Sequence, residues 1–177
     1  MTSAGARRVV LELDTDRVTT IAWGAVLRLA HDGIVFTTLA AEQASFGGWP
    51  TALCELDNAT RDGDAAVPRS LEAFAERLAT LHIDPQWCFL ARIGDRYVGY
   101  TVLDAAAADD SSIAQSWTGV RPRYRRRGIA TALKEVARRA AADAGYARIR
   151  TVVRSTNLAA LALNTKLGFR PPAEHGR

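Results

Sequence analysis

A chain of 177 residues and 19.1 kDa has room for one substantial core, and 48% hydrophobic with 24% charged residues places it among globular proteins, excluding disordered, collagen-like and low-complexity classes. No apolar run approaches the roughly 18–20 residues of a membrane helix; the best stretch, 21–30, is interrupted by Arg28. The net charge of +4 conceals a division: residues 1–110 carry nine basic and 16 acidic side chains, −7 net, whereas residues 111–177 carry 14 basic and three acidic, +11 net. A basic half of this size implies an anionic ligand, with nucleotide phosphates, nucleic acid and an acidic surface as the open choices.

In chain order, the β-branched run 9–13 predicts a short strand, and Asp14-Thr15-Asp16 is an N-cap cluster ahead of a helix over 17–30. There Val18, Ile21, Ala22, Ala25, Val26 and Leu29 recur at helical spacing until Asp32-Gly33 ends the pattern. Residues 34–39 read as a strand. Within 40–59 the Gly47-Gly48-Trp49-Pro50 break leaves a helix in the second part, around 51–56. A polar loop is expected over 58–70, then a helix capped by Ser70 with Leu71, Phe74, Ala75 and Leu78 on one face. The β-rich runs 87–93 and 97–103, joined by Gly94-Asp95-Arg96, predict an antiparallel hairpin. After a small polar connector over 105–112, residues 113–120 form the next strand. Helical spacing returns through Ile129, Ala132, Leu133, Val136, Ala137, Ala140 and Ala144, and closes at Gly145. Residues 148–154 make another strand, and 157–166 a short apolar helix stopped by Gly168, with Phe169 opening a last extended piece. There is no internal repeat, and the order predicts an α/β or α+β fold in one domain, residues 1–177.

The acids Glu12 and Asp14 break what would be the apolar region of a signal peptide after Arg7 and Arg8, so a cytoplasmic location is expected. Cys54 and Cys88 stand in apolar surroundings and are expected to be buried thiols, while His31, His82 and His175 lie too far apart for a zinc site. Without a secretory signal, Asn58-Ala59-Thr60 is a coincidental match to a glycosylation acceptor. Trp23, Phe74, Trp87 and Phe89 read as core, whereas Trp49, in its Gly-Gly-Trp-Pro break, stays open between core and a substrate box. Glu42, Glu55 and Asp57 read as solvated acids, although an acidic N-terminal half facing a basic one suits a cationic amine.

The most informative segment runs Trp117-Thr118-Gly119-Val120-Arg121-Pro122-Arg123-Tyr124-Arg125-Arg126-Arg127-Gly128-Ile129-Ala130: a strand, a tight basic turn and the start of a helix. Gly128 and the small Ala130 let backbone N–H groups approach a ligand closely, and a helix N-terminus with orphan donors favours phosphate. The arginines add Coulomb attraction and bidentate hydrogen bonds. A cofactor site, a nucleic-acid patch and a solvated basic turn are the three readings of this cluster. Neither the aromatic interleaving of single-strand binders nor a recognition helix accompanies it.

Arg125-x-x-Gly128-x-Ala130 resembles the pyrophosphate loop of the GCN5-related N-acetyltransferases, whose signature is Gln/Arg-x-x-Gly-x-Gly/Ala. Downstream, Asn157, Asn164 and Lys166-Leu167-Gly168-Phe169 resemble the second block of that family, an Asn followed by a short helix and Leu-Gly-Phe. The similarity covers about 87–169, and the N-terminal half carries no signature. The resemblance implies a mixed central sheet flanked by helices and splayed open between the strands at 113–120 and 148–154. It implies acetyl-CoA as cofactor: Thr118, Gly119 and Val120 offer strand-edge backbone groups to the pantetheine arm, Arg125, Arg126, Arg127, Gly128, Ile129, Ala130 and Thr131 hold the pyrophosphate, and Asn157 and Asn164 contact the cofactor arm.

The chain departs from that pattern at Asn164, where many members carry the Tyr that protonates the leaving thiolate, and at Val152, where some carry a strand Glu. Asn has no titratable proton, so the catalytic acid and base are left unassigned. The expected activity is N-acetyl transfer from acetyl-CoA to a primary amine of a small molecule or peptide by direct attack, and the alternative is a non-catalytic CoA-binding sensor or partner module. Expected partners are acetyl-CoA and an amine, with neither nucleic acid, membrane nor metal. Similarity to one half of a tandem acyltransferase leaves a homodimer open.

Overall fold

The computed structural model describes residues 7–17, 20–61, 67–81, 83–104 and 111–172. Strands β1 (Arg8–Asp14), β2 (Val35–Thr38), β3 (Cys88–Ile93), β4 (Arg96–Asp104), β5 (Ser112–Val120) and β6 (Arg148–Arg154) form one sheet in the order β1-β6-β5-β4-β3-β2. All neighbours are antiparallel except β5 and β6, which are parallel because α5 (Ile129–Asp143) makes the crossover between them. The remaining helices are α1 (Thr20–His31), α2 (Leu39–Ser45), α3 (Trp49–Thr60), α4 (Leu71–Leu81) and α6 (Leu158–Lys166). The mixed, helix-flanked sheet agrees with the expected fold class. The start of the first predicted helix, including Val18, and residues 105–110 of the expected connector lie outside the described residues.

Strand alternation divides the apolar residues between two cores. Along β3, Phe89 and Ala91 join α1 and α5 on one face, with Ala25, Leu29, Ile129 and Leu133, whereas Cys88 and Leu90 join α3 and α4 on the other, with Leu53, Leu56 and Phe74. Both cysteines are buried free thiols. Trp49 packs partly buried against the second core, and Trp23 and Trp87 against the first.

Three expectations for residues 39–60 need correction. The strand ends at Thr38, whose Oγ1 accepts from Ala41 N at 3.3 Å and so caps α2, whereas the sequence predicts a helix in this stretch only around 51–56, within α3. Helix α3 then continues to Thr60, into the expected loop, because Asn58 exchanges hydrogen bonds with the backbone of Arg69, donating to its O at 3.0 Å and accepting from its N at 2.8 Å. Ser70 caps α4 as expected, its Oγ accepting from Ala73 N at 3.2 Å. Glu42 is not a solvated acid: it is buried, accepts from the Tyr97 hydroxyl at 2.8 Å and pairs with Arg92 at 3.2 Å. Glu55 pairs with Arg121 and Asp57 with Arg69.

The parallel ladder is short. It begins at Ser112↔Arg148 and ends at Gln115↔Thr151. Beyond that point β6 stays on β1, through Val10↔Val152 and Arg8↔Arg154, while β5 stays on β4, through Trp117↔Val102 and Val120↔Gly99. The register between β4 and β5 shifts at Val102/Leu103, leaving Ser116 as the extra residue. A bulge bends its strand, so β5 turns from β6 one residue after the last parallel pair. Among the described residues no helix is long and apolar enough to cross a membrane.

Candidate functional site

The parting of β5 from β6 opens a cavity of about 800 Å3, walled by both strands, the entrance of α5 and one side of α6. It gathers residues far apart in sequence: Thr118, Gly119 and Val120 from β5, Arg125 and Arg126 from the turn, Gly128, Ile129, Ala130 and Thr131 from α5, and Asn157 and Asn164 from α6. Of the expected site residues only Arg127 is not in its wall. The Arg127 guanidinium instead stands 5.4 Å from the centroid of the Tyr124 ring, and its carbonyl accepts from Arg28 Nη2 at 3.4 Å.

The turn into α5 depends on left-handed backbone. Gly128, the N-cap, has φ +89° and Arg126 has φ +63°, a region that costs a residue with a Cβ about 1–2 kcal/mol. A Cβ on Gly128 would also stand 3.0 Å from Arg28 Nη2. The first intrahelical bond of the turn runs from Ala132 N to Gly128 O at 3.0 Å, so the N–H groups of Ile129, Ala130 and Thr131 have no acceptor within the helix and lie at its positive end. Arg125 Nε donates to Val120 O at 3.1 Å, tying the turn to the strand it leaves. Strand edge, helix entrance and two arginines thus make one concave anion-attracting surface.

Asn157 caps α6, its Oδ1 accepting from Ala160 N at 3.1 Å, so that part of its expected role is structural. Asn164 is 2% exposed and its Oδ1 has no hydrogen-bond partner among the described residues, although the residue lies in the cavity wall. Buried polar atoms are almost always paired, and an unpaired one facing a cavity is a place for a ligand donor. An acceptor here fits a pantetheine arm, which carries amide N–H groups.

The floor holds a group that sequence reasoning missed. Lys134 is 7% exposed, and its Nζ donates to Gln115 Oε1 and stands 5.1 Å from the centroid of the Phe169 ring. Gln115 Nε2 donates to Thr101 Oγ1 at 3.0 Å, and the Thr101 and Thr118 hydroxyls are 2.8 Å apart. Burial pushes the Lys134 pKa down to about 7. The apolar stripe of α5 gives no sign of this, because the helix is covered on both sides and also buries Glu135 and Arg138 as an ion pair at 2.7 Å. The only available signal is that Lys134 is one of two lysines among many arginines. Thr60 and Tyr100 also reach the cavity without having been expected there. Among the described residues no cluster of three or more His, Cys, Asp or Glu side chains is placed to hold a metal ion.

Residues 51–169 match the family model described as Acetyltransferase (GNAT) family. The chain is similar in fold to the GCN5-related N-acetyltransferase from Sphaerobacter thermophilus (TM-score 0.65, 19% identity, 95% of this chain and 50% of that one). It is similar also to a tandem GNAT protein from the clavulanic acid biosynthesis pathway (TM-score 0.65, 18% identity, 96% and 51%). A third similar structure is the NatC complex bound to Gag peptide and CoA (TM-score 0.57, 22% identity, 77% and 84%). The chain spans about half the length of the first two. No curated protein matches the sequence.

Proposed function

The chain belongs to the GNAT acetyltransferase family, and from that premise we propose that it binds acetyl-CoA in the cleft between β5 and β6 and transfers the acetyl group to a primary amine. The observation that carries this reading is a single one: the strands part after Gln115↔Thr151, and the cavity opened there is also walled by the left-handed Gly128 that opens α5. One gap therefore offers a strand edge to an extended arm and a helix entrance to a diphosphate. On this reading residues 1–177 act as one acyltransferase domain.

In this reading acetyl-CoA supplies an acyl group activated as a thioester. The N–H groups of Ile129, Ala130 and Thr131, with Arg125 and Arg126, hold its diphosphate. The freed edge of β5 would hold its arm through backbone groups of Thr118 and Val120, which face away from β4, while Gly119, opposite Tyr100, lines the cleft; the Val120 N–H would polarise the carbonyl oxygen, where charge develops. Asn164 accepts from an amide of the arm and Asn157 lies at its side. An amine of pKa near 10 must first lose a proton. Its nitrogen then attacks the carbonyl carbon, the C–S bond breaks with its electron pair going to sulfur, the second amine proton is lost as the amide forms, and the thiolate takes up a proton. The protein's contribution is alignment and the removal of water around that exchange.

The second reading, a CoA-binding module without catalysis, is favoured by one observation, an amide at Asn164 in place of a titratable side chain. A thiol-release assay over a panel of primary amines separates the two. Release above the buffer rate that requires an amine supports transfer; release at the buffer rate with every amine, from protein that binds acetyl-CoA, supports the binding module.

A further inference from the structure

A second cavity, of about 220 Å3, lies within the core that α3 and α4 make with the sheet. Its interior is apolar, walled by Leu39, Leu53, Phe74, Leu78, Cys88 and Val102. Thr60, Tyr100 and Trp117 line both this cavity and the cleft, so the two adjoin at those three side chains. The volume is below that of a pocket for a drug-sized ligand, about 300–1,000 Å3, and suits one apolar side chain.

Four charged side chains reach this cavity, and three of them are engaged. Asp57 Oδ2 accepts from Arg69 Nη1 at 2.6 Å, and Arg61 Nη1 donates to Val67 O at 2.9 Å. Arg77 differs: its guanidinium lies 5.4 Å from the centroid of the Trp117 ring and, among the described residues, makes no hydrogen bond or ion pair. A half-buried cation on one of the junction residues favours an anionic group on whatever enters. For a molecule seated in this cavity the way to the cleft is the same junction, so its amine and its anion stand close together there while an apolar group fills the interior. An amine and a carboxylate on one carbon, with an apolar side chain, meet that requirement. A long acyl chain would leave Arg77 without a counter-charge, and the N-terminus of a peptide carries a neutral amide where the carboxylate is needed.

We propose that the second cavity is the acceptor subsite for a free α-amino acid with an apolar side chain, Arg77 pairing with the carboxylate while Thr60, Tyr100 and Trp117 admit the amine to the cleft. The assignment rests on the acyltransferase reading. Its test uses L-phenylalanine, L-phenylalaninamide and glycine, first as ligands of the CoA-saturated protein by calorimetry, then as acceptors of acetyl-CoA by thiol release. L-phenylalanine is expected to bind and to be used with a kcat/KM at least about tenfold above the other two, a margin that one charge-assisted contact supplies. Arg77→Gln should bring L-phenylalanine down to the level of its amide while leaving acetyl-CoA affinity unchanged. Equal or better use of the amide, no L-phenylalanine binding at millimolar concentration to CoA-saturated protein, or preference for octanoyl-CoA over acetyl-CoA with no effect of Arg77→Gln would each overturn the assignment. If L-phenylalanine binds and no thiol is released, the subsite stands and the transfer reading falls.

Discussion

Lys134 and Gln115 meet where the two parallel strands part: the lysine Nζ donates to Oε1 of the residue that forms, with Thr151, the last pair of the ladder. The Thr151 hydroxyl donates to Gln115 O at 3.0 Å, so both strands and α5 are held together at the apex of the cleft. The opening therefore has a fixed vertex, and the Ser116 bulge directs one arm away from it.

The vertex carries a pH signature. Burial lowers the Lys134 pKa to about 7 in the folded protein, whereas the unfolded chain keeps a lysine near 10.4. Between those values the unfolded state binds the extra proton, so stability rises with pH by up to about 1.4 kcal/mol per unit, and below the lower value the contribution is constant. Urea unfolding of wild type and Lys134→Met from pH 7 to 9 should show a stability difference that shifts toward wild type as pH rises. A difference independent of pH would contradict a neutral buried amine.

Asn164 separates folding from binding. Because its Oδ1 is buried and unpaired among the described residues, Asn164→Leu should leave thermal stability unchanged or raise it, whereas acetyl-CoA affinity should fall about tenfold, the worth of one hydrogen bond of about 1–1.5 kcal/mol. Thermal melts and calorimetry on the same variant check both. Loss of stability with affinity intact would assign the side chain to the fold.

Glu42 is expected to matter for stability and not for chemistry. Glu42→Ala strands the buried Tyr97 hydroxyl and leaves Arg92 unpaired. Because Arg92 is partly exposed, the cost should be about 2–3 kcal/mol, lower than for a fully buried pair, which lowers Tm by about 5–10 °C. Glu55→Ala, at an exposed carboxylate, should change stability by no more than about 0.5 kcal/mol. Differential scanning calorimetry of the two variants provides the comparison, and equal effects would contradict it.

The half of the chain with a basic balance was legible because its signals are local. Gly128 needs positive φ, Asn157 caps the helix that follows it, and the turn glycines Gly145 and Gly168 adopt positive φ where an element was expected to end. What was not legible depends on tertiary placement. Seven-residue α2 has too few turns for a periodic pattern, and only Thr38 marks its start. Glu42 and Lys134 look like surface charges until the partners that bury them, Tyr97 and Arg92 for one and Gln115 and Phe169 for the other, are brought across the sheet. Arg127 sits within the signature turn between the left-handed Arg126 and Gly128, yet its side chain lies over the Tyr124 ring and does not itself line the cleft.

Calorimetric titration of acetyl-CoA into wild type, Gly128→Glu and Arg139→Glu tests the shaped loop itself. Wild type should bind. Gly128→Glu places a side chain on left-handed backbone and an anion at the helix entrance, and should abolish binding. Arg139 is exposed, its guanidinium 5.3 Å from the centroid of the Trp23 ring on the body of α5. Beyond about 8–10 Å an exposed charge is screened at physiological salt, so Arg139→Glu should leave affinity within about twofold of wild type. No binding by wild type at high micromolar cofactor, or equal weakening by the two substitutions, would contradict the proposal that a shaped strand-turn-helix site holds the cofactor.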